Sequence, residues 1–261
     1  MKRFVYCTCF LLLPTIPSKV ASAHAEPRVV HVFVALADNA HQGIVPVPAA
    51  LGNGDDPDHN LYWGAAFGVR IFFRKSTDWQ QVGEAAHPNE YIIERVYFRH
   101  KTSGTYLLAD AYRGSEIKKA LADFFSAAAG QEAPIRFDGP KEGPIHVDKK
   151  ADLFVYIGHD GLMDFALEKT FRGDAAEKRQ AIVLACASKQ YFGAPLKPTG
   201  AEPLLLTTGL MAPEAYTLKA ALDGWIAGES NEQIRQRAAA AYAQYQKISR
   251  AAALKLFAAG W

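Results

Sequence analysis

Asp152-Leu-Phe-Val-Tyr-Ile-Gly158 and Ala181-Ile-Val-Leu-Ala185 are the two stretches of sequence that decide the fold. Both are nearly continuous apolar runs without polar alternation, which is typical of strands buried on both faces of a parallel sheet. A similar run extends from Arg28 to Ala37, and another from Leu204 to Thr208. Segments with helical periodicity lie between and after these runs, so the sequence predicts an α/β fold with a mostly parallel sheet.

The remaining segments predict helices on both faces of this sheet, which makes a three-layer sandwich. Tyr91 to Phe98 and Tyr106 to Tyr112 are predicted to form a hairpin, with the second strand at an edge of the sheet. Asp38 to Asn60 and Gly130 to Asp148 are predicted as polar loops. Helices are predicted over Leu61–Phe73, from Ser115, over 174–180, over Ala212–Ile226 and within Glu232–Ala258. No repeat or shift in composition divides the chain, so residues 26–261 are expected to form one α/β domain with C-terminal helices.

Residues 1–25 have the features of a secretory signal peptide. Lys2-Arg3 is a basic start, Phe4 to Ile16 is a short apolar stretch, and the sites Ala21-Ser-Ala23 and Ala23-His-Ala25 predict cleavage after Ala23 or Ala25. The apolar stretch is short for a membrane span, and an uncleaved N-terminal anchor is the alternative. The sequence therefore predicts a periplasmic or secreted protein without membrane attachment once the leader is removed.

The composition is that of an ordinary globular protein, with 49% hydrophobic and 21% charged residues. It excludes a disordered chain, a collagen-like repeat and a small disulfide scaffold. Three of the 29 basic residues lie in the leader, so 26 basic residues face 27 acidic ones in the mature chain, and no nucleic-acid surface is expected. Cys7 and Cys9 also lie in the leader, which leaves Cys186 as the one thiol of the mature chain.

His159 and Cys186 follow the two deciding strands at the point where each strand ends. Ligands of open parallel sheets bind at the carboxyl ends of the strands, so neighbouring strands would bring the imidazole and the thiol to one edge. A thiolate attacks carbonyl groups, and a nearby histidine promotes its formation and protonates the leaving amine. The N–H groups of Gly161 and Cys186 are candidate donors to the developing oxyanion.

The two strand-end motifs resemble those of the caspase–hemoglobinase group, which includes caspases, legumains, gingipains and clostripain-like cysteine peptidases. The matching residues are Leu153-Phe-Val-Tyr-Ile-Gly-His159-Asp-Gly161 and Ile182-Val-Leu-Ala-Cys186-Ala-Ser188. The resemblance implies a caspase-like fold in which His159 is the general base and acid and Cys186 is the nucleophile. Asp160 separates a histidine and a glycine that are commonly adjacent in that group, and Leu184 stands where an acidic residue or glutamine is frequent.

Cys186 and the 38–60 loop also have simpler interpretations. A lone cysteine is often a small buried hydrophobe, and a loop such as 38–60 is often only solvated turn structure. The alternative for the loop is contact with substrate beside the His–Cys pair. The spacing of its polar residues fits neither an EF-hand nor a HExxH zinc helix, so no metal site is predicted there. The candidate substrate-contacting side chains are Asp38, His41, Asp55 and Asp58.

The sequence therefore predicts an exported caspase-like cysteine peptidase that hydrolyses amide bonds of a peptide or protein through a thioester. No cofactor motif is present and none is expected. One alternative is a non-catalytic exported binding module of the same fold. Another is a metal-dependent hydrolase that uses the acidic residues of the 38–60 loop. The sequence does not indicate the oligomeric state.

Overall fold

The computed structural model describes Met1, residues 26–138 and residues 146–261. The predicted leader and both of its cleavage sites therefore lie outside the described residues. Eight strands form one mixed sheet in the order β10-β9-β8-β7-β1-β4-β3-β2, and two form a separate hairpin, β5-β6. The strands are β1 Val29–Ala35, β2 Trp79–Ala86, β3 Ile92–His100, β4 Tyr106–Tyr112, β5 Ile135–Asp138, β6 His146–Lys149, β7 Leu153–Ile157, β8 Gln180–Leu184, β9 Glu202–Thr207 and β10 Phe257–Ala258.

Helices pack against both faces of the large sheet, as predicted. Side chains alternate along each buried strand, so Val30 and Val32 face one layer of helices whereas Val29 and Phe33 face the other. The first layer contains α1, α4, α5 and α6, and the second contains α2 and α3. The helices are α1 Val69–Arg74, α2 Ile117–Ala128, α3 Ser188–Leu196, α4 Ala215–Ile226, α5 Asn231–Gln246 and α6 Arg250–Leu256.

Five neighbouring strands, β4-β1-β7-β8-β9, are parallel. They have the order 2-1-3-4-5 of a doubly wound sheet, in which the chain leaves the first strand in one direction and later returns to its other side. This change of direction falls between β1 and β7. Their carboxyl ends lead into the loop that begins at Leu36 and into Gly158-His159. The rule for open α/β sheets therefore places the ligand site at the loop and histidine that sequence analysis selected.

The predicted hairpin is confirmed, but the placement of its second strand at an edge is wrong. β4 pairs with β3 in antiparallel fashion and with β1 in parallel fashion, and all seven of its residues are buried. Its one charged residue, Asp110, is also buried. The Asp110 carboxylate is bound in the interior by Arg95 at 2.6 Å and by His31 at 3.0 Å. The strand at this edge of the sheet is β2, which the sequence analysis missed.

The helix predicted over Leu61–Phe73 is shorter, because only Val69–Arg74 is helical. Asn60 precedes the predicted helix and does not cap it. The Asn60 Oδ1 atom instead accepts hydrogen bonds from the N–H groups of Ala37 at 3.0 Å and Tyr62 at 3.1 Å, which holds the following residues in turns against the end of β1. Tyr62 and Trp63 are buried in these turns rather than in a helix.

Three further predictions need correction. Residues 174–180 are not helical, because the buried Arg179 side chain donates to the carbonyl oxygens of Ala128 and Asp174 and holds the segment open. The crossover from β7 to β8 therefore contains only the 3-10 turn Gly161–Met163. The predicted 130–148 loop contains the β5-β6 hairpin. Residues 232–258 form α5 and α6 and then end in the short strand β10.

Candidate functional site

The structure confirms that the two deciding strands are parallel neighbours. Ile157 of β7 pairs with Leu184 of β8, and His159 and Cys186 each follow two residues later. Both residues line one cavity of about 280 Å³ at the carboxyl edge of the sheet. The imidazole and the thiol are thus brought to the same opening by strand pairing alone.

A tight turn between β8 and α3 presents Cys186. Ala187 adopts a left-handed backbone conformation, with φ 47°, which is unfavourable for a residue that has a Cβ atom. Hydrogen bonds of Ser188 and Thr207 stabilise this turn. The Thr207 N–H donates to Ser188 Oγ at 2.9 Å, and Ser188 Oγ donates to the Val183 carbonyl at 3.0 Å. These buried bonds hold the strained turn in place.

The thiol of Cys186 is partly exposed and touches the main chain of Met211. The Met211 N–H lies 3.5 Å from Sγ, and the Met211 carbonyl oxygen lies 3.6 Å from it. The N–H can donate to the sulfur in either protonation state, whereas the carbonyl accepts only from the thiol. The N–H of Cys186 itself makes no hydrogen bond with the described residues, so it is free to bind a ligand.

His159 is oriented by a carboxylate that the sequence analysis did not select. Its Nε2 atom lies 2.6 Å from Asp164 Oδ2, and only 8% of the His159 residue surface is exposed. The turn Gly161–Met163 brings Asp164 back to the histidine, with the Asp164 N–H donating to the Gly161 carbonyl at 3.0 Å. A carboxylate in this position fixes the orientation of the ring. The available signal was an acidic residue five positions after the histidine, in a segment to which the sequence analysis assigned no helix or strand.

Gly161 is not placed to donate a hydrogen bond to a substrate in the cavity. Its N–H donates to the His159 carbonyl at 3.1 Å, and the residue does not line the cavity. A Cβ atom at this position would lie 2.7 Å from the Phe165 ring, so glycine is required for internal packing. The geometry therefore favours the Cys186 N–H over the Gly161 N–H as the donor to an oxyanion.

Asp160 is a buried carboxyl directly beside the histidine. One oxygen accepts a hydrogen bond from the Leu162 N–H at 3.0 Å, and the other has no partner among the described residues. Burial raises the pKa of Asp160 from its ordinary 3.8 to about 7, against the effect of its backbone hydrogen bonds, and Asp164 adds to the rise.

The 38–60 loop borders the cavity through residues other than the four that were selected. Asp38 binds the His41 ring at 2.8 Å, and neither residue lines the cavity. Asp55 pairs with Arg113, and Asp58 pairs with Arg70 at 2.8 Å, so both lie in surface ion pairs. The loop instead contributes Gly43, Ile44, Val45 and Val47 to the cavity wall.

The backbone at Gly43 passes close to the histidine's partner. A Cβ atom there would lie 3.0 Å from Asp164 Oδ1, so the loop packs directly over the His159–Asp164 pair.

Tyr62 is a buried phenol in the cavity wall. Burial raises the pKa of its hydroxyl, and Cys186 and Glu214 nearby add to the rise. The hydroxyl therefore stays protonated at neutral pH and makes no hydrogen bond with the described residues. It is a second donor in the wall of the cavity that Cys186 also lines, and only the folded structure brings it there.

A second group of buried charges lies on the α2 side of the sheet. The His31 ring lies 3.0 Å from Asp110 and 2.9 Å from Glu132. Burial opposes its charged form, but the two carboxylates outweigh that effect and raise the pKa of His31 to about 9. His31 is therefore a charged structural residue within β1.

The described residues contain no group of three or more His, Cys, Asp or Glu side chains arranged to hold a metal ion. None of their helices has the length and apolar character needed to span a membrane. Comparisons with protein-family models, curated proteins and solved structures found no match.

Proposed function

We propose that this protein is an exported cysteine peptidase with a caspase-like arrangement of its catalytic residues. Cys186 is the nucleophile, His159 is the general base and acid, and Asp164 orients the imidazole. The observation that carries the proposal is the shared cavity, which receives both the thiol and the carboxylate-bound histidine from neighbouring strand ends. Peptides or proteins outside the cytoplasm are the proposed substrates, since the N-terminal sequence has the features of a leader.

In the acylation step His159 accepts the thiol proton and the Cys186 sulfur attacks the amide carbonyl carbon. The new C–S bond forms while the carbonyl π electrons move to oxygen. In this mechanism the Cys186 N–H and the Tyr62 hydroxyl donate hydrogen bonds to the oxyanion. As the intermediate collapses, the C–N bond breaks and the imidazolium gives its proton to the departing amine.

In the deacylation step a water molecule gives its proton to His159 and attacks the thioester carbonyl. The C–S bond then breaks, the carboxylic acid product leaves, and the proton returns from His159 to the sulfur. Asp164 holds the orientation of the ring throughout both steps.

The strand order supports the likeness to caspase-like peptidases. The chain makes β1, β4, β7 and β8 as parallel strands in the spatial order β4-β1-β7-β8, and the histidine and cysteine follow the last two. This is the placement that the two motifs of the sequence imply. The crossover between β7 and β8 contains the 3-10 turn Gly161–Met163, and this turn brings Asp164 to His159.

Alkylation of Cys186 by iodoacetamide tests the proposal in the folded full-length protein. We expect rapid labelling of the Cys186 peptide at neutral pH, measured by mass spectrometry, and a decrease in rate of about tenfold or more in His159→Ala, because the thiolate loses its imidazole partner. His59→Ala is the matched control, since His59 is exposed and binds only Asp56. A thiol that reacts only after denaturation, or equally fast in both variants, would overturn the proposal.

A further inference from the structure

The wall of the cavity that holds His159 and Cys186 is apolar. Apart from these two residues, the Tyr62 hydroxyl is the one polar side-chain group among the residues that line it. The apolar side chains of the wall are Ile44, Val45, Val47, Leu61, Met163, Leu210, Met211, Ala212 and Pro213.

Three of these apolar side chains project into solvent at the rim. Val45 is 84% exposed, Leu210 is 76% exposed and Met163 is 43% exposed. They come from three different segments, namely the loop after β1, the loop after β9 and the 3-10 turn after His159. Large apolar side chains grouped at the mouth of a cavity mark a surface that a partner covers.

Among the described residues that line this cavity, only His159 and Cys186, which take part in the reaction, have side chains that can carry a charge at neutral pH. Asp164 is bound to His159 and does not line the wall. Glu214, which lies near Tyr62, accepts hydrogen bonds from the Tyr216 hydroxyl at 2.8 Å and from Gln246 at 3.2 Å. A charged side chain that entered would lose its hydration without gaining a partner.

We propose that the substrate presents a large apolar side chain, such as that of leucine, methionine or phenylalanine, beside the bond that is cleaved. This inference rests on the proposed function and names its substrate class. The volume of about 280 Å³ lies just below the range of roughly 300–1,000 Å³ for small-molecule sites, which suits a side chain rather than a whole cofactor. Val45, Met163 and Leu210 would then close over the side chain from three directions.

Three peptidyl acyloxymethyl ketones test this preference, identical except for leucine, aspartate or lysine at the residue next to the ketone. The Cys186 sulfur bonds to the methylene carbon and displaces the carboxylate leaving group, so each probe leaves a stable thioether of known mass. We expect the leucine probe to modify Cys186 about tenfold or more faster than either charged probe, because only the apolar side chain gains from leaving water.

An acidic residue at the rim should reduce the difference in rate between the leucine probe and the lysine probe. Leu210→Asp and Val45→Asp should each slow the leucine probe and accelerate the lysine probe, and both substitutions lie at solvent-exposed positions that do not support the core. Ile248→Asp is the matched control, because Ile248 is exposed but does not line the cavity. Its rates with all three probes should equal those of the unmodified protein.

The outcomes separate the two proposals. Equal rates for the three probes, or faster modification by a charged probe, would overturn the apolar preference and leave the peptidase proposal standing. Failure of every probe to modify Cys186 in the folded protein would overturn the peptidase proposal and the preference that rests on it.

Discussion

At the residue scale, Asp160 shows how strongly the environment beside the candidate site acts on a single group. Its carboxyl is buried next to His159, and one oxygen lacks a partner among the described residues. Ionising a buried carboxyl of this kind costs free energy, so burial raises the pKa of Asp160 to about 7.

The pH dependence of stability should carry the signature of Asp160. Because the pKa is raised from 3.8 to about 7 on folding, its favourable contribution is complete below about pH 4 and is lost as the pH rises through about 7. In Asp160→Asn, the fall in the free energy of unfolding between pH 4 and pH 7 should be smaller by roughly 2–4 kcal/mol. Urea denaturation at several pH values measures this, and an unchanged slope in the variant would show that Asp160 is solvated.

The sequence was sufficient for some residues and not for others. His159 and Cys186 were found because the ends of apolar runs can be read directly and parallel pairing brings such ends together. Asp164 and Tyr62 were missed because they reach the site through turns. Neither a 3-10 turn nor a chain of buried turns has a periodic pattern, so their side chains cannot be assigned to a face beforehand.

At the element scale, the turn between β8 and α3 is the part of the fold that fixes the thiol. Ala187 is left-handed there, and buried bonds between Ser188 and Thr207 hold the turn. A left-handed conformation costs a residue with a Cβ atom roughly 1–2 kcal/mol, and glycine avoids most of this cost.

Ala187→Gly should therefore stabilise the protein by about 1 kcal/mol, although glycine usually destabilises. The comparison is Ala240→Gly within α5, which should destabilise by about 1 kcal/mol as in any helix interior. Chemical denaturation of the two variants gives both values. Equal losses in the two variants would mean that Ala187 is not strained.

Element boundaries were predicted best where burial was continuous. β7, β8 and β9 were found within two residues, because strands covered on both faces have apolar runs that stop at the sheet edge. β4 was placed at an edge of the sheet, whereas its one charged residue, Asp110, is neutralised in the interior by Arg95 and His31. A buried ion pair between distant segments leaves no local pattern in the sequence.

At the scale of the whole molecule, the order of the parallel strands explains why one edge collects the candidate site. The chain changes direction between β1 and β7, so the 38–60 loop and His159 meet there, and β8 adds Cys186 from the next position. Sequence analysis predicted the α/β class and this edge. It could not predict that the loop lines the cavity through Ile44 and Val45 instead of its acidic residues, because each of those acids binds a basic side chain.

The central claim is that Cys186 forms a thioester with the acyl part of a substrate. The most direct test is to mix the folded protein with an activated ester of an N-acetyl leucyl peptide, to quench the reaction in acid shortly afterwards, and to measure the intact mass of the protein. An activated ester acylates faster than a thioester hydrolyses, so the intermediate accumulates. We expect one added acyl group, located at Cys186 by peptide mapping, much less of it in His159→Ala and none in Cys186→Ala. Acylation that persists in Cys186→Ala, or no acylation of the folded protein at all, would contradict it.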